Sequence, residues 1–112
     1  MNPEQAEIGS VLVALADPTR RKLLDVLVEE GQASATRLAH RMPVSRQAVV
    51  KHLQLLEDAG LVTGGRSGRE VIYQVRPSSL EASARWLADL AATWDRRLLS
   101  LKRIAEDRSI EK

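Results

Sequence analysis

The stretch Val44-Ser45-Arg46-Gln47-Ala48-Val49-Val50-Lys51-His52-Leu53-Gln54-Leu55-Leu56-Glu57-Asp58-Ala59-Gly60 decides how this chain is read. Ser45 is a good helix N-cap, and Val44 and Val49 hold the two positions of a hydrophobic staple, which fixes the entry angle of the chain. Gly60 suits a helix end after Ala59. At about 100° per residue, Val49, His52, Leu53 and Leu56 share one face, and Arg46, Gln47, Val50, Lys51 and Gln54 share the roughly opposite one. The first set is suited to pack inward. The second carries what the major groove of a duplex accepts: Arg can take guanine O6 and N7 together, Gln can take adenine N6 and N7, and Val can meet a thymine methyl. Arg46 and Gln47 stand at the N-terminal end, from which a recognition helix contacts bases. Ser45, beside the positive end of the helix, and Lys51, a point charge, suit phosphate. The plainer alternative is a solvated face of an ordinary amphipathic helix.

Upstream of this helix, Ser34 is placed to cap a short one carrying Leu38 and Ala39 inward, which runs out at Met42-Pro43 because proline cannot continue it. Further back, Asp17-Pro18 opens a helix that carries Leu23, Leu24, Val26, Leu27 and Val28 and ends at Gly31; apolar on more than one side, it reads as central. A first helix spans 4–16, with Ile8, Val11, Leu12, Leu15 and Ala16 on one stripe. Downstream, Leu61-Val62-Thr63 and Val71-Ile72-Tyr73-Gln74-Val75 read as strands joined by the glycine-rich tip Gly64-Gly65-Arg66-Ser67-Gly68-Arg69, a hairpin closed off by Pro77. Arg66 and Arg69 flank that tip and suit a minor groove or a phosphate backbone, or else a charged turn that avoids edge pairing.

Residues 78–106 form a last, long helix. Leu80, Ala84, Leu87, Ala91, Trp94, Leu98, Leu101 and Ala105 recur at alternating spacings of four and three, a heptad seam, and Trp86, Leu90 and Ile104 widen it. Such a seam packs either within the chain or against a second copy. Leu80, Leu87, Ala91, Trp94, Leu98 and Leu101 are the expected dimer contacts. Two recognition helices in a dimer stand about 34 Å apart and match a palindrome. Trp86 and Trp94 suit interface packing or a small-molecule pocket between subunits, so an effector of unknown identity stays open. The polar tail from about Asp107 is expected to fray.

Composition sets bounds on this reading. The chain has 112 residues, 44% hydrophobic and 29% charged, ordinary values for a folded domain. Its net charge is only +2, yet residues 34–76 hold seven Arg and Lys against three Asp and Glu, whereas residues 1–33 hold three against six. Positive charge gathered in this way attracts a polyanion or simply solvates a surface. The absence of Cys removes disulfides, thiolate metal sites and thiol catalysis, and fits a reducing cytoplasm. No signal peptide and no membrane span are expected. Two scattered His and no phosphate loop opening a helix leave no catalytic constellation, so no enzyme is expected. The fold class expected is mainly α with a small β-hairpin wing: a winged helix-turn-helix in the order α-α-α-α-β-β-α, forming a homodimer. One domain covers 1–112, with the helix-turn-helix at 34–59, the wing at 61–76 and dimerisation helices at 4–16 and 78–106.

Taken together, Asp17-Pro18-Thr19-Arg20-Arg21, Val44 through Leu53, Ala59-Gly60-Leu61-Val62 and Gly68-Arg69 before Tyr73 resemble the ArsR family of bacterial repressors over roughly residues 8–104. The resemblance implies a winged-helix homodimer that binds double-stranded operator DNA near its own gene and, in many members, releases it on binding an effector. Many members sense metals through Cys pairs or through His and carboxylates on the last helix. Here the supporting helix reads Thr36-Arg37-Leu38-Ala39-His40-Arg41, and the last helix has Asp89, Asp95 and Glu106 but no His. No metal and no cofactor are therefore expected, with His52 structural and His40 exposed. The expected function is a sequence-specific transcriptional regulator that represses from a palindromic operator. The alternative is a winged-helix protein-interaction module, though the outward face of 45–59 has no acid before Glu57. RNA binding fits less well, because the chain has no Phe, one Tyr and two Trp.

Overall fold

The computed structural model describes residues 3–110, with side chains for 5–108; Met1, Asn2, Glu111 and Lys112 lie outside it. The elements run α1 (Pro3–Leu15), α2 (Pro18–Glu30), β1 (Ala33–Ser34), α3 (Ala35–His40), α4 (Arg46–Asp58), β2 (Val62–Ser67), β3 (Glu70–Val75) and α5 (Pro77–Ile110). This is a winged helix-turn-helix. The expected helix starts are set by their caps. The Asp17 carboxylate accepts from the Thr19 N–H at 2.7 Å, Ser34 Oγ from Arg37 at 3.1 Å and Ser45 Oγ from Ala48 at 3.1 Å. Pro18 takes the first position of α2, where no N–H is needed.

The end of α4 is a Schellman motif. Gly60 N–H donates to Glu57 O at 2.9 Å and Leu61 N–H to Leu56 O at 2.9 Å, while Gly60 takes φ +78°. Leu56 and Leu61, the pair this motif brings together, are both fully buried. They belong to a core of Val11, Leu23, Val26, Leu27, Leu38, Val49, Leu53 and Val62 that ties α1 through α4 to the base of the wing.

Three expectations are corrected. The sheet has three strands, in the order β1-β3-β2, because Ala33 and Ser34 pair antiparallel with Tyr73 and Ile72. The hairpin has no six-residue tip: β2 runs through Gly64, Gly65 and Arg66 to Ser67, which pairs with Glu70. The loop is only Gly68-Arg69, and Gly68 at φ +64° gives the positive first position of a type II′ turn. The last helix runs past its expected end at 106 and continues to Ile110.

Two stripes are also redrawn. In α1 the buried side chains are Ile8, Val11 and Ala14, while Leu12 and Ala16 are exposed. In α2 they are Leu23, Val26 and Leu27, with Val28 64% exposed.

α5 has 34 residues, about 51 Å at 1.5 Å per residue, against 13 residues in α1. Its first turns meet α1, where Ser79, Ala82 and Ser83 face Ile8 and Val11. The rest extends away from the body, and the molecule measures 75 × 31 × 21 Å.

Replacing Gly60 tests the helix end. A Cβ there sits 2.8 Å from Ser79 Oγ on a left-handed backbone. Gly60→Ala should destabilise the protein by about 1–2 kcal/mol from backbone strain, and further through the clash with Ser79 Oγ, read as a lower urea midpoint; Ser79→Ala should relieve only the clash. An unchanged midpoint would show that the junction tolerates a side chain.

Candidate nucleic-acid interface

α4 presents the face expected of it. Val49, Leu53 and Leu56 are fully buried, and His52 is half-buried. Arg46, Gln47, Lys51 and Gln54 are exposed, and so is Val50 at 38%. His52 Nδ1 lies 3.5 Å from an Arg20 guanidinium nitrogen. That guanidinium also donates to Ala14 O at 2.7 Å and to Val13 O at 3.3 Å, so Arg20 caps α1 and reaches the middle of α4. His40 is exposed.

Each outward residue has its own setting. Ser45 Oγ accepts from Ala48 N–H, which leaves the hydroxyl proton free to donate to an anion. Arg46 Nε donates to Thr36 Oγ1 at 3.0 Å, tying the recognition helix to the supporting one. Gln54 donates to Asp58 Oδ1 at 2.9 Å, one turn on, so its amide is turned toward the far end of the helix.

A groove of about 300 Å³ runs between α3, the first turns of α4 and the wing, and Thr36, Arg46, Val50, Arg69 and Tyr73 are among the residues lining it. Arg69 from the turn thus joins Arg46 and Val50 at one site. Arg66, opposite Val71 in the ladder, instead lines a separate depression with Gln32, Thr63 and Ile72. The two wing arginines therefore belong to different sites, and Arg69 is the one brought to the recognition helix. Thr36 was not among the residues singled out from sequence. Nothing in its spacing marks it, because its contact crosses the turn between two helices.

Two of the basic residues gathered in 34–76 are already partnered. Arg37 meets Glu30 at 3.0 Å; Arg41 meets Glu30 at 3.3 Å and also pairs with Glu29. These contacts fasten α3 to the end of α2. The Arg37 hydrogen bond, with Arg41 beside it, holds the Glu30 carboxyl below its ordinary range. The Thr19 N–H, with Arg20 nearby, does the same for Asp17. Among the described residues of 34–76, Arg46, Lys51, Arg66, Arg69 and Arg76 make no ion pair, so the cations open to a polyanion there stand at the start of α4, on the wing and just after it.

Comparison with known proteins agrees with this geometry. Residues 15–64 match the family model described as a helix-turn-helix domain. The transcriptional repressor SdpR of Bacillus subtilis is 31% identical over 80 residues, covering 71% of this chain and 88% of SdpR. A solved ArsR-like transcriptional regulator from Rhodococcus sp. RHA1 is 46% identical, with a TM-score of 0.80 over 90% of this chain and 94% of that one. The chain belongs to the ArsR family. It is a transcriptional regulator of that family, with a helix-turn-helix domain. The homodimeric winged helix-turn-helix DNA-binding domain of Mb0332 from Mycobacterium bovis, a possible ArsR-family transcriptional regulator, is 27% identical, with a TM-score of 0.57 over 82% of this chain and 79% of that one. No helix among the described residues of this regulator is long and apolar enough to cross a membrane.

The Glu30 pairs give a pH signature. A carboxyl whose pKa is lower in the folded state stabilises fully above its unfolded value, and that stability is lost as pH falls through the folded value. Glu30→Gln should lower the urea midpoint at neutral pH. The gap to the unaltered protein should close as pH drops from about 4.5, the ordinary value, through the depressed one. A gap that stays constant with pH would mean that the pairs contribute nothing through charge.

Proposed function

We infer that this ArsR-family chain is a sequence-specific DNA-binding repressor acting as a homodimer on a two-fold symmetric operator. The observation that carries this reading is the exposed polar face of α4, where Arg46, Gln47, Val50 and Lys51 project away from the core with Arg69 of the wing across the groove. Arg46 and Gln47 lie in the first turn, from which base edges are reached, and Ser45 and Lys51 serve the phosphates. Arg66 and Arg69 add backbone contacts on the flank. Gln54, turned to Asp58, stands at the far margin of the face.

The homodimer rests on α5. Beyond its junction with α1, Leu87, Trp94, Leu98 and Leu101 are 45–62% exposed, and Leu80 and Ala91 are open on the same stripe. An apolar stripe of this length is stabilised by a second copy of itself. The homodimeric Mb0332 domain supports the same arrangement, as the name of SdpR supports repression. Each chain then acts as one unit, with the helix-turn-helix reading a half-site and the terminal helices setting the distance to the next.

Fluorescence anisotropy against the DNA upstream of the regulator's own gene, with scrambled DNA as control, tests the reading. Tight, salt-sensitive binding that prefers the upstream DNA is expected; no binding even at low salt would overturn it. Arg46→Ala and Gln47→Ala should each cost about 1–3 kcal/mol and relax base preference. The double replacement of Arg66 and Arg69 by Ala should weaken binding to every sequence and flatten the salt slope, by about one for each phosphate no longer neutralised. Equal salt slopes for this variant and the unaltered protein would remove the wing from the interface. Trp94→Asp should turn the sedimenting dimer into a monomer, and a persisting dimer would place the interface elsewhere.

A further inference from the structure

We propose that Thr36, on the supporting helix, is a specificity-determining residue: its hydroxyl presets Arg46 to read guanine with the terminal edge of its guanidinium. This inference rests on the DNA-binding reading above and extends it to a residue that does not itself belong to the recognition helix.

A guanidinium has five N–H groups, one on Nε and four on the two terminal nitrogens. Guanine O6 and N7 can be met by two terminal nitrogens, or by Nε together with one of them. In this structure Nε is committed, because it donates to Thr36 Oγ1 at 3.0 Å. Among the described residues Thr36 is the only hydrogen-bond partner of the Arg46 side chain, so both terminal nitrogens remain available. One approach to the base is therefore blocked and the other left open.

The location suits the role. Thr36 and Arg46 line the same groove as Val50 and Arg69, and both are solvent-exposed, so their bond lies at the surface that would face the duplex. Arg46 is the first residue of α4, and a helical side chain leans toward the N-terminus, here toward α3. A long arginine at that position otherwise samples many rotamers, and fixing one before DNA arrives removes an ordering cost from binding. The Thr36 hydroxyl is held in turn by α3, whose own start is capped by Ser34 and whose flank is fastened to α2 by Arg37 and Arg41. Thr36 is thus a positioning residue on a rigid support. Its β-branched side chain has few rotamers, so the hydroxyl stays where α3 puts it.

The test uses the full chain and a duplex recovered by selection from a randomised library, with scrambled duplex as reference. Thr36→Val keeps the shape and removes the acceptor. It should reduce the ratio of selected to scrambled affinity about five- to tenfold, with the loss concentrated at guanine positions of the site and the salt slope unchanged. Thr36→Ser should retain most of the ratio. In the Arg46→Lys background, which has no Nε, Thr36→Val should cause no further loss. A Thr36→Val ratio within about twofold of the unaltered protein overturns the inference, as does a loss spread evenly over all base positions or an equal loss in the Arg46→Lys background. If the unaltered protein shows no preference for any selected duplex, the DNA-reading proposal fails and this one with it. If it discriminates and Thr36→Val still discriminates equally well, this inference alone falls.

Discussion

Val49, Leu53 and Leu56 hold α4 by one face, each with no measurable exposure. Everything functional about the molecule depends on that grip. A helix of 13 residues is marginal in isolation, so α4 exists because its apolar face is buried among Leu23, Leu27, Leu38, Leu61 and Val62. Burying that face fixes the rotation of the helix about its axis, and Arg46, Gln47, Val50 and Lys51 are then turned outward without any further device. Val44 packed on the core, the Ser45 cap and the Schellman end at Gly60 fix its two ends. Each large side chain in this cluster is worth a few kcal/mol of burial, far more than any surface ion pair nearby. The surface polar contacts add direction: Thr36 to Arg46, Arg20 to His52, and Glu30 to Arg37 and Arg41.

The body and the long helix divide the work. The first four helices and the wing close around one core and need only the start of α5. The remainder of α5 buries almost nothing within its own chain. A helix with Trp94, Leu98 and Leu101 more than half exposed in a single chain is incomplete alone. A second copy supplies the missing surface in the proposed homodimer, and the same contact sets the distance between two recognition helices. Affinity for a symmetric site then comes from geometry as well as from base contacts.

Much of this was legible in the sequence, for identifiable reasons. Caps are local: Asp17, Ser34, Ser45, Gly31 and Gly60 each act within a few residues, and each helix starts or stops where they stand. The rotation of α4 was legible because its apolar residues keep helical spacing. What escaped depends on contacts distant in the chain. β1 is only Ala33 and Ser34, too short to show alternation, and it is a strand because Tyr73 and Ile72 lie beside it. Gly64 and Gly65 disfavour strands by themselves, yet β2 runs through them; a Cβ at Gly64 would lie 3.0 Å from the Tyr73 ring and 3.0 Å from Val71, so glycine admits the close approach. In α1 the buried side is Ile8, Val11 and Ala14, with Leu12 36% exposed. Arg37 and Arg41 add to the basic count of 34–76, but their acidic partners lie on α2, distant in the chain, and Thr36 carries no pattern of its own. The ladder also separated Arg66 from Arg69, which look equivalent along the chain.

The central claim is that two α4 faces, held apart by paired α5 helices, read one side of a duplex together. Hydroxyl-radical footprinting of a duplex recovered by selection measures this directly. The account predicts two protected patches on the same face of the DNA, related by two-fold symmetry and centred about one helical turn, roughly 34 Å, apart. A single patch, or two patches on opposite faces of the duplex, would contradict it.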